Sequence, residues 1–419
     1  MIIIAYITAI ALGTMAMTQA VLAFMFVCFL RRKENRSPAE TAWPKVAILL
    51  PLRGADIKLR EVIECLLRLD YPDFQLHIIV DSPDDPAWEV VQDVTKKTDE
   101  EKVFLSFLEN RRTTCSSQCS AFVQAISSLD PSVEIVVTID GDVVVHPDWL
   151  KSLVAPFQDK TVGATFGNRW FMPKNNLLGS IVRYLWNSVA LVAMWLHSIP
   201  WGGTMAIRKS IFDEIGILDH WKRTMVHDAS AASLLHRHRK KVQFVPSLIM
   251  PIREDCSLAF CLDFLKRQMM WTRIYHPNWW AIFIHAVVTT SVFVLAGFAA
   301  AIAIATGNSM TTTWLVGALL GYLLISLICL ATLEANIAKI IKQRGDCTKW
   351  LTITGMLKIP FAVPLTQCIH MIAVLLAGFR NKVTWRNITY LIRDPYDIEI
   401  TKEGELGVAA DAENSNYSL

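Results

Sequence analysis

The chain has 419 residues, enough for one large folded domain with membrane segments or for two domains. Its residues are 53% hydrophobic against 19% charged, with 14 tryptophans, too apolar for an ordinary soluble protein. The net charge of +3 is spread along the chain with no basic run interleaved with aromatics, which excludes nucleic acid as the expected partner. Nine cysteines show no CxxC or Cys/His zinc spacing, so they read as reduced thiols of a cytosolic compartment.

Residues 2–30 carry no charge and are long enough to cross a bilayer, with no basic residue before them and no small-residue cleavage site after. Residues 1–30 are therefore expected to be a retained transmembrane anchor. Arg31, Arg32, Lys33 and Arg36 follow at once, which places what comes next in the cytosol.

Residues 37–277 alternate short apolar runs with charged and turn-rich stretches, as a folded soluble domain does. Lys45 to Pro51 reads as a buried strand, Ile57 to Leu69 as a helix, and Gln75 to Val80 as a second strand ending at Asp81. Strand, helix, strand implies a right-handed crossover and a parallel sheet, whose ligands bind beyond the carboxyl ends of the strands. Pro51, Arg53, Asp81 and Asp140 stand at such ends. In TIDGDVVV, Asp140 and Asp142 close a run of valine and isoleucine. Asp-Gly is a strong turn signal, and two carboxylates so placed also suit Mg or Mn beside a diphosphate, so both readings stand. Leu177 to Trp201 is apolar but interrupted by Arg183, and predicts a helix on the membrane surface slightly ahead of one packed in the core. Asp228 precedes the apolar stretch Ala229 to Leu235, as a helix N-cap or as a carboxylate held for proton transfer. Arg267, Trp271 and Arg273 stand just before the membrane, as a belt of interfacial side chains, a phosphate clamp, or both. His236 and His238, among four basic residues, read as a solvated basic surface rather than a metal site.

Residues 278–379 form a membrane region. Trp279 to Ala305 and Trp314 to Leu333 are spans. Leu351 to Phe379 contains Lys358, Pro360 and Pro364, and a span there would leave the basic residues after it outside. A re-entrant or interfacial pair of helices broken at the prolines is expected instead. Residues 380–419 are expected to be a cytosolic tail, acidic and disordered from Thr401 onward.

Five pieces of sequence, IIVDSPDD, TIDGDVVVHPDWL, WGGTMAIRKSIFDEIG, VHDASAASLLHRHRKKVQFVP and KRQMMWTR, resemble in order the motifs of the family-2 glycosyltransferases, within them the ceramide glucosyltransferase-like branch. The resemblance covers about residues 45–277. It implies an α/β, GT-A-like nucleotide-sugar-binding domain with a mostly parallel sheet and transmembrane helices at both ends. It further implies Asp81 on the nucleoside, Asp140 and Asp142 on metal and diphosphate, and an acceptor side at Trp201, Gly202, Gly203 and Thr204. Asp228 would be the catalytic base, and Arg267, Trp271 and Arg273 part of the donor site with Pro51 and Arg53. The implied partners are a nucleotide sugar, most simply a UDP-sugar, a lipid acceptor and the membrane. The implied reaction is inverting transfer of a hexose, glucose first, to a lipid hydroxyl. A processive polysaccharide synthase and an inactive lipid-binding relative remain as alternatives. Met270 stands where the family signature has Arg, His227 where an acidic residue is usual, and Gln118 nearest a usual Lys.

Overall fold

The structure, a computed structural model, describes residues 2–32, 43–96, 98 and 102–404. Lys33, Arg36 and the acidic end from 405 to 419 lie outside them.

The chain begins with helix α1 (Ile2–Arg31) and enters the α/β domain through strand β1 (Val46–Leu52). There follow α2 (Leu59–Leu67), β2 (Phe74–Val80), α3 (Ala87–Thr95), β3 (Val103–Phe107), α4 (Ser117–Ser127) and β4 (Ile135–Ile139). Next come α5 (Trp149–Val154), β5 (Val162–Phe171), α6 (Leu178–His197), β6 (Thr204–Arg208), α7 (Lys209–Glu214), α8 (Ile217–Trp221), α9 (His227–Arg237) and β7 (Lys241–Ile252). The amphipathic α2 buries Leu59, Val62, Ile63 and Leu66, while Ile57 stays outside the helix and exposed. Strands β1, β4 and β5 are buried almost end to end, as central strands covered on both faces must be.

The seven strands lie in the order β3-β2-β1-β4-β6-β5-β7. β1 pairs in parallel with β2 and with β4, whereas β6 is antiparallel to both β4 and β5. The sheet is thus mostly parallel. Chain order departs in opposite directions from β1, so the crevice between the ends of β1 and β4 is the switch point where ligands bind in such sheets.

Helix α10 (Leu258–Tyr275) leads into α11 (Trp279–Ala305), α12 (Ser309–Gln343) and α13 (Ile353–Phe379). Helices α1, α11, α12 and α13 are each long and apolar enough to cross a membrane. Small residues let the first three approach: Leu12 and Ala16 meet Ala296 and Tyr322, and Ala5 meets Ala300 and Leu315. Large apolar side chains such as Phe24, Leu295, Phe298 and Leu320 point outward, as they do toward lipid. α12 extends beyond the bundle so that Ile337 and Ile341 enter the main core, and its Glu334 accepts from Trp170, Tyr184 and Trp350 at 2.8–3.0 Å.

Three expectations change. α6 is not a surface helix along its length, because Gly179 to Ser188 are all buried. Arg183, 1% exposed, sits 4.2 Å from the Phe171 ring and donates to the Glu254 carbonyl, so its guanidinium lies inside the domain rather than at a lipid surface. α13 is one unbroken helix with Pro360 and Pro364 inside it, one turn apart, in place of a broken pair. Both of its ends are fastened to the catalytic domain: Thr352 and Lys358 bond Asn176, and Arg273 donates to the carbonyls of Gly378 and Arg380. Residues 380–404 are not a loose tail. They form the antiparallel sheet of β8 (Lys382–Trp385), β9 (Ile388–Asp394) and β10 (Asp397–Glu403), so Thr401 belongs to a strand.

Candidate active site

The carboxyl ends of β1, β2 and β4 and the start of β6 converge on one cleft. Pro51 and Arg53 come from β1, Asp81 follows β2, Asp140 and Asp142 follow β4, and Trp201 and Gly202 precede β6. Asp228 comes from the first turn of α9, Arg267 and Trp271 from α10.

At one end Arg53 and Arg111 both pair with Asp81, whose other oxygen accepts from Ser117 Oγ at 2.7 Å. Three donors fix a carboxylate that is itself buried. In the middle, Gln118 Nε2 donates to Asp140 Oδ1 at 3.1 Å, so the amide orients this acid. Burial raises the Asp140 carboxyl above the usual range, Asp228 adds to the rise, and His227 and Arg169 oppose it. Asp142 is raised further, first by burial and then by Asp140, Glu254 and Asp56. Its Oδ1 is buried with no hydrogen-bond partner, and so is Oε2 of Glu254.

Asp228 does not cap its helix. The N-cap is Val226, without a side-chain bond, and Asp228 lies inside the first turn. Its Oδ2 accepts from Gly202 N at 2.8 Å and its Oδ1 from Ala229 N at 2.6 Å. Two backbone donors thereby aim it into the cleft. Gly202 is needed for this approach, because a Cβ there would lie 2.6 Å from His227 Nε2 and 3.1 Å from Asp228 Oδ2. At Gly203 a Cβ would come within 2.9 Å of Asp140 Oδ2. Thr204 does not reach the cleft: it is fully buried and donates to the Gly203 carbonyl.

Arg267 and Trp271, one helical turn apart, line the cleft together. Arg273 does not, since two residues beyond Trp271 it points to the other side of α10 and ties α13 to the domain. Met270 is fully buried and also faces away. The guanidinium of Arg267 is lowered to about 10, by burial first and then by Arg169, and stays charged at neutral pH.

Several cleft residues escaped sequence reading. Arg169 lies in the fully buried strand β5, stacked 5.6 Å from Trp201 and 5.0 Å from Phe264, and a charged residue inside so apolar a run was the available signal. His227 is 3% exposed, packs 4.6 Å from Phe122, and leaves Nε2 without a partner at the cleft wall. Asp56, Trp385 and Arg386 complete the lining, with Arg386 Nη2 2.7 Å from Asp56 Oδ2. The last two come from the C-terminal sheet, which no local motif marks as part of a site.

Fold and cleft define a glycosyltransferase of the GT-A type with membrane-capable helices at both ends. The chain belongs to glycosyl transferase family 21, whose profile matches residues 2–398, rather than carrying only the family-2 likeness read from its motifs. Among solved structures it is similar to a mannosyltransferase from Pyrobaculum calidifontis in complex with GDP-Man and Mn2+. That likeness has 16% identity and a TM-score of 0.51, and covers 89% of this chain and 97% of the other. It is also similar to glucosyl-3-phosphoglycerate synthase from Mycobacterium tuberculosis, with 14% identity and a TM-score of 0.37, over 55% of this chain and 77% of the other. The protein is a hexosyltransferase of this family.

Proposed function

We propose that the protein transfers a hexose, glucose before others, from a nucleoside-diphosphate sugar to the hydroxyl of a ceramide-like membrane lipid, with inversion. The observation that carries this reading is the convergence, in one cleft, of the paired acids Asp140 and Asp142, the oriented Asp228, and a wall of α10 that continues directly into membrane-capable α11. A donor held by the sheet ends can there meet an acceptor that arrives from the bilayer.

The donor set fits a divalent cation. Asp142 offers a buried oxygen with no partner, Asp140 a second carboxylate, and hard oxygens suit Mg or Mn. Among the described residues no third His, Cys, Asp or Glu joins them in a metal cluster, so donor phosphates and water would complete the shell. When bound, the ion supplies positive charge against the leaving diphosphate. Asp81, with Arg53 and Ser117, holds the nucleoside. Arg267 and Arg169 face the phosphates. Asp228 takes the proton of the acceptor hydroxyl as its oxygen attacks the anomeric carbon from the face opposite the departing diphosphate.

The basic residues Arg31 and Arg32 after α1 and Lys339 and Lys342 near the end of α12 favour a cytosolic catalytic domain. The C-terminal sheet packs on the same domain, so it shares that side. Lipid mass spectrometry of cells with and without the gene tests the reaction. One lipid class gaining a single hexose mass supports it; an unchanged lipid profile, or a polymer ladder, contradicts it.

A further inference from the structure

The arginine that the resemblance leads one to expect in α10 is replaced by Met270, which is fully buried and does not line the cleft. A cation nevertheless enters the cleft from elsewhere in the chain. Arg386 sits at the tip of the two-residue turn between Trp385 and Ile388, which are paired across β8 and β9.

The turn is unusual for its residues. Arg386 has φ of 48° and Asn387 of 61°, the left-handed pair that a tight hairpin requires and that Asn-Gly normally fills. Arginine seldom adopts this conformation, because its Cβ crowds the following carbonyl. The rest of the fold holds it there. Arg53 Nε donates to the Arg386 carbonyl at 2.8 Å, and Gly404 N donates to the Asn387 carbonyl at 2.7 Å. Tyr390 OH accepts from Ser117 N at 3.2 Å, Tyr275 OH donates to the Pro395 carbonyl at 3.1 Å, and Glu403 pairs with Arg111. The sheet is thus fastened to the same residues, Arg53, Arg111 and Ser117, that hold Asp81.

Among the described residues, one donor group of Arg386 is committed to a carboxylate, Nη2 on Asp56. A guanidinium carries five N–H groups, so Arg386 can keep Asp56 and still face a phosphate. Its charge also acts on Asp142 and Asp140, where the leaving group is expected.

We propose that Arg386 is a diphosphate-binding arginine of this enzyme beside Arg267 and Arg169, presented by the C-terminal hairpin in place of a cation at position 270. This rests on the cleft being the donor site. The hairpin is then part of the catalytic machinery, and the functional domain runs to residue 404 rather than ending at 277. A purely structural Arg386 would only anchor the sheet to Asp56.

Calorimetric titration of the full-length protein in detergent, at fixed Mn2+, separates the two. The ligands are UDP and GDP, each against its monophosphate, and the variants are Arg386→Gln, Arg386→Lys and Arg393→Gln. Arg393 pairs with Glu399 and Asp397 on the exposed side of the same sheet and serves as control. Arg386→Gln is expected to weaken the diphosphate that binds wild type by about tenfold or more, equivalent to about 1.4 kcal/mol, and its monophosphate by less than about twofold. Arg386→Lys recovers part of the loss and Arg393→Gln changes neither. Equal weakening of both ligands, or no change in either, overturns the proposal. Should Arg386→Gln fail to fold, Asp56→Asn decides: removing the internal competitor is expected to tighten the diphosphate by about threefold, and unchanged or weaker binding overturns the proposal. If the wild type binds neither diphosphate, the donor-site reading itself fails.

Discussion

Asp142 is an acid whose surroundings ask for a cation. Burial and the neighbouring Asp140, Glu254 and Asp56 all raise its carboxyl, and Asp140 is raised with it. A carboxyl whose folded pKa lies above its unfolded 3.8 stabilises the fold fully below that value and loses this contribution as pH rises through the folded pKa. The metal-free protein is therefore expected to lose thermal stability as pH is raised from 4 to neutrality (a window set by that upward shift), and Mn2+ should restore it at neutral pH. Differential scanning calorimetry with and without Mn2+ checks this, and Asp142→Asn should flatten both dependences. Gly202 makes a second test. The methyl of Gly202→Ala meets His227 and Asp228, so turnover should fall by about tenfold to a hundredfold while donor binding, measured by titration, changes little.

At the scale of elements, periodicity marked the ends of the central strands well. β1 and β2 fall within a residue of the apolar runs that predicted them, and α11 has the predicted limits. Their acids were legible because a charged pair after a buried strand has few structural excuses. What long-range contact decides was not legible. α6 reads as a surface helix, yet Arg183 is buried against a ring and a carbonyl from distant segments. Two prolines in α13 argue for a break locally, but contacts with α6, α10 and α11 hold one helix. Arg386 reaches the cleft through a sheet that begins at Lys382, too far along the chain from Asp140 for any motif to span. Glu334 is another such contact, joining α12 to β5 and α6. Glu334→Ala leaves Trp170, Tyr184 and Trp350 without their acceptor and should cost about 2–4 kcal/mol, visible as a lowered Tm in detergent.

For the molecule as a whole, the catalytic domain and the membrane-capable helices share one main core, since Phe26 of α1 and Ile337 and Ile341 of α12 pack with the sheet. On the proposed topology, α13, fastened to the domain at both ends, leaves the C-terminal sheet on the domain's side. A tag at the C-terminus should therefore be protected from protease in intact cells and cleaved after permeabilisation, together with the catalytic domain. The central claim is that Asp228 takes the proton of a lipid hydroxyl while the sheet ends hold a sugar nucleotide. Its most direct test follows labelled hexose from UDP- and GDP-hexose, with Mn2+, into a lipid extract with purified wild-type and Asp228→Asn protein. The account predicts one labelled lipid from the wild type and, from the variant, about a thousandfold less with donor affinity retained. Transfer by Asp228→Asn at the wild-type rate would contradict it.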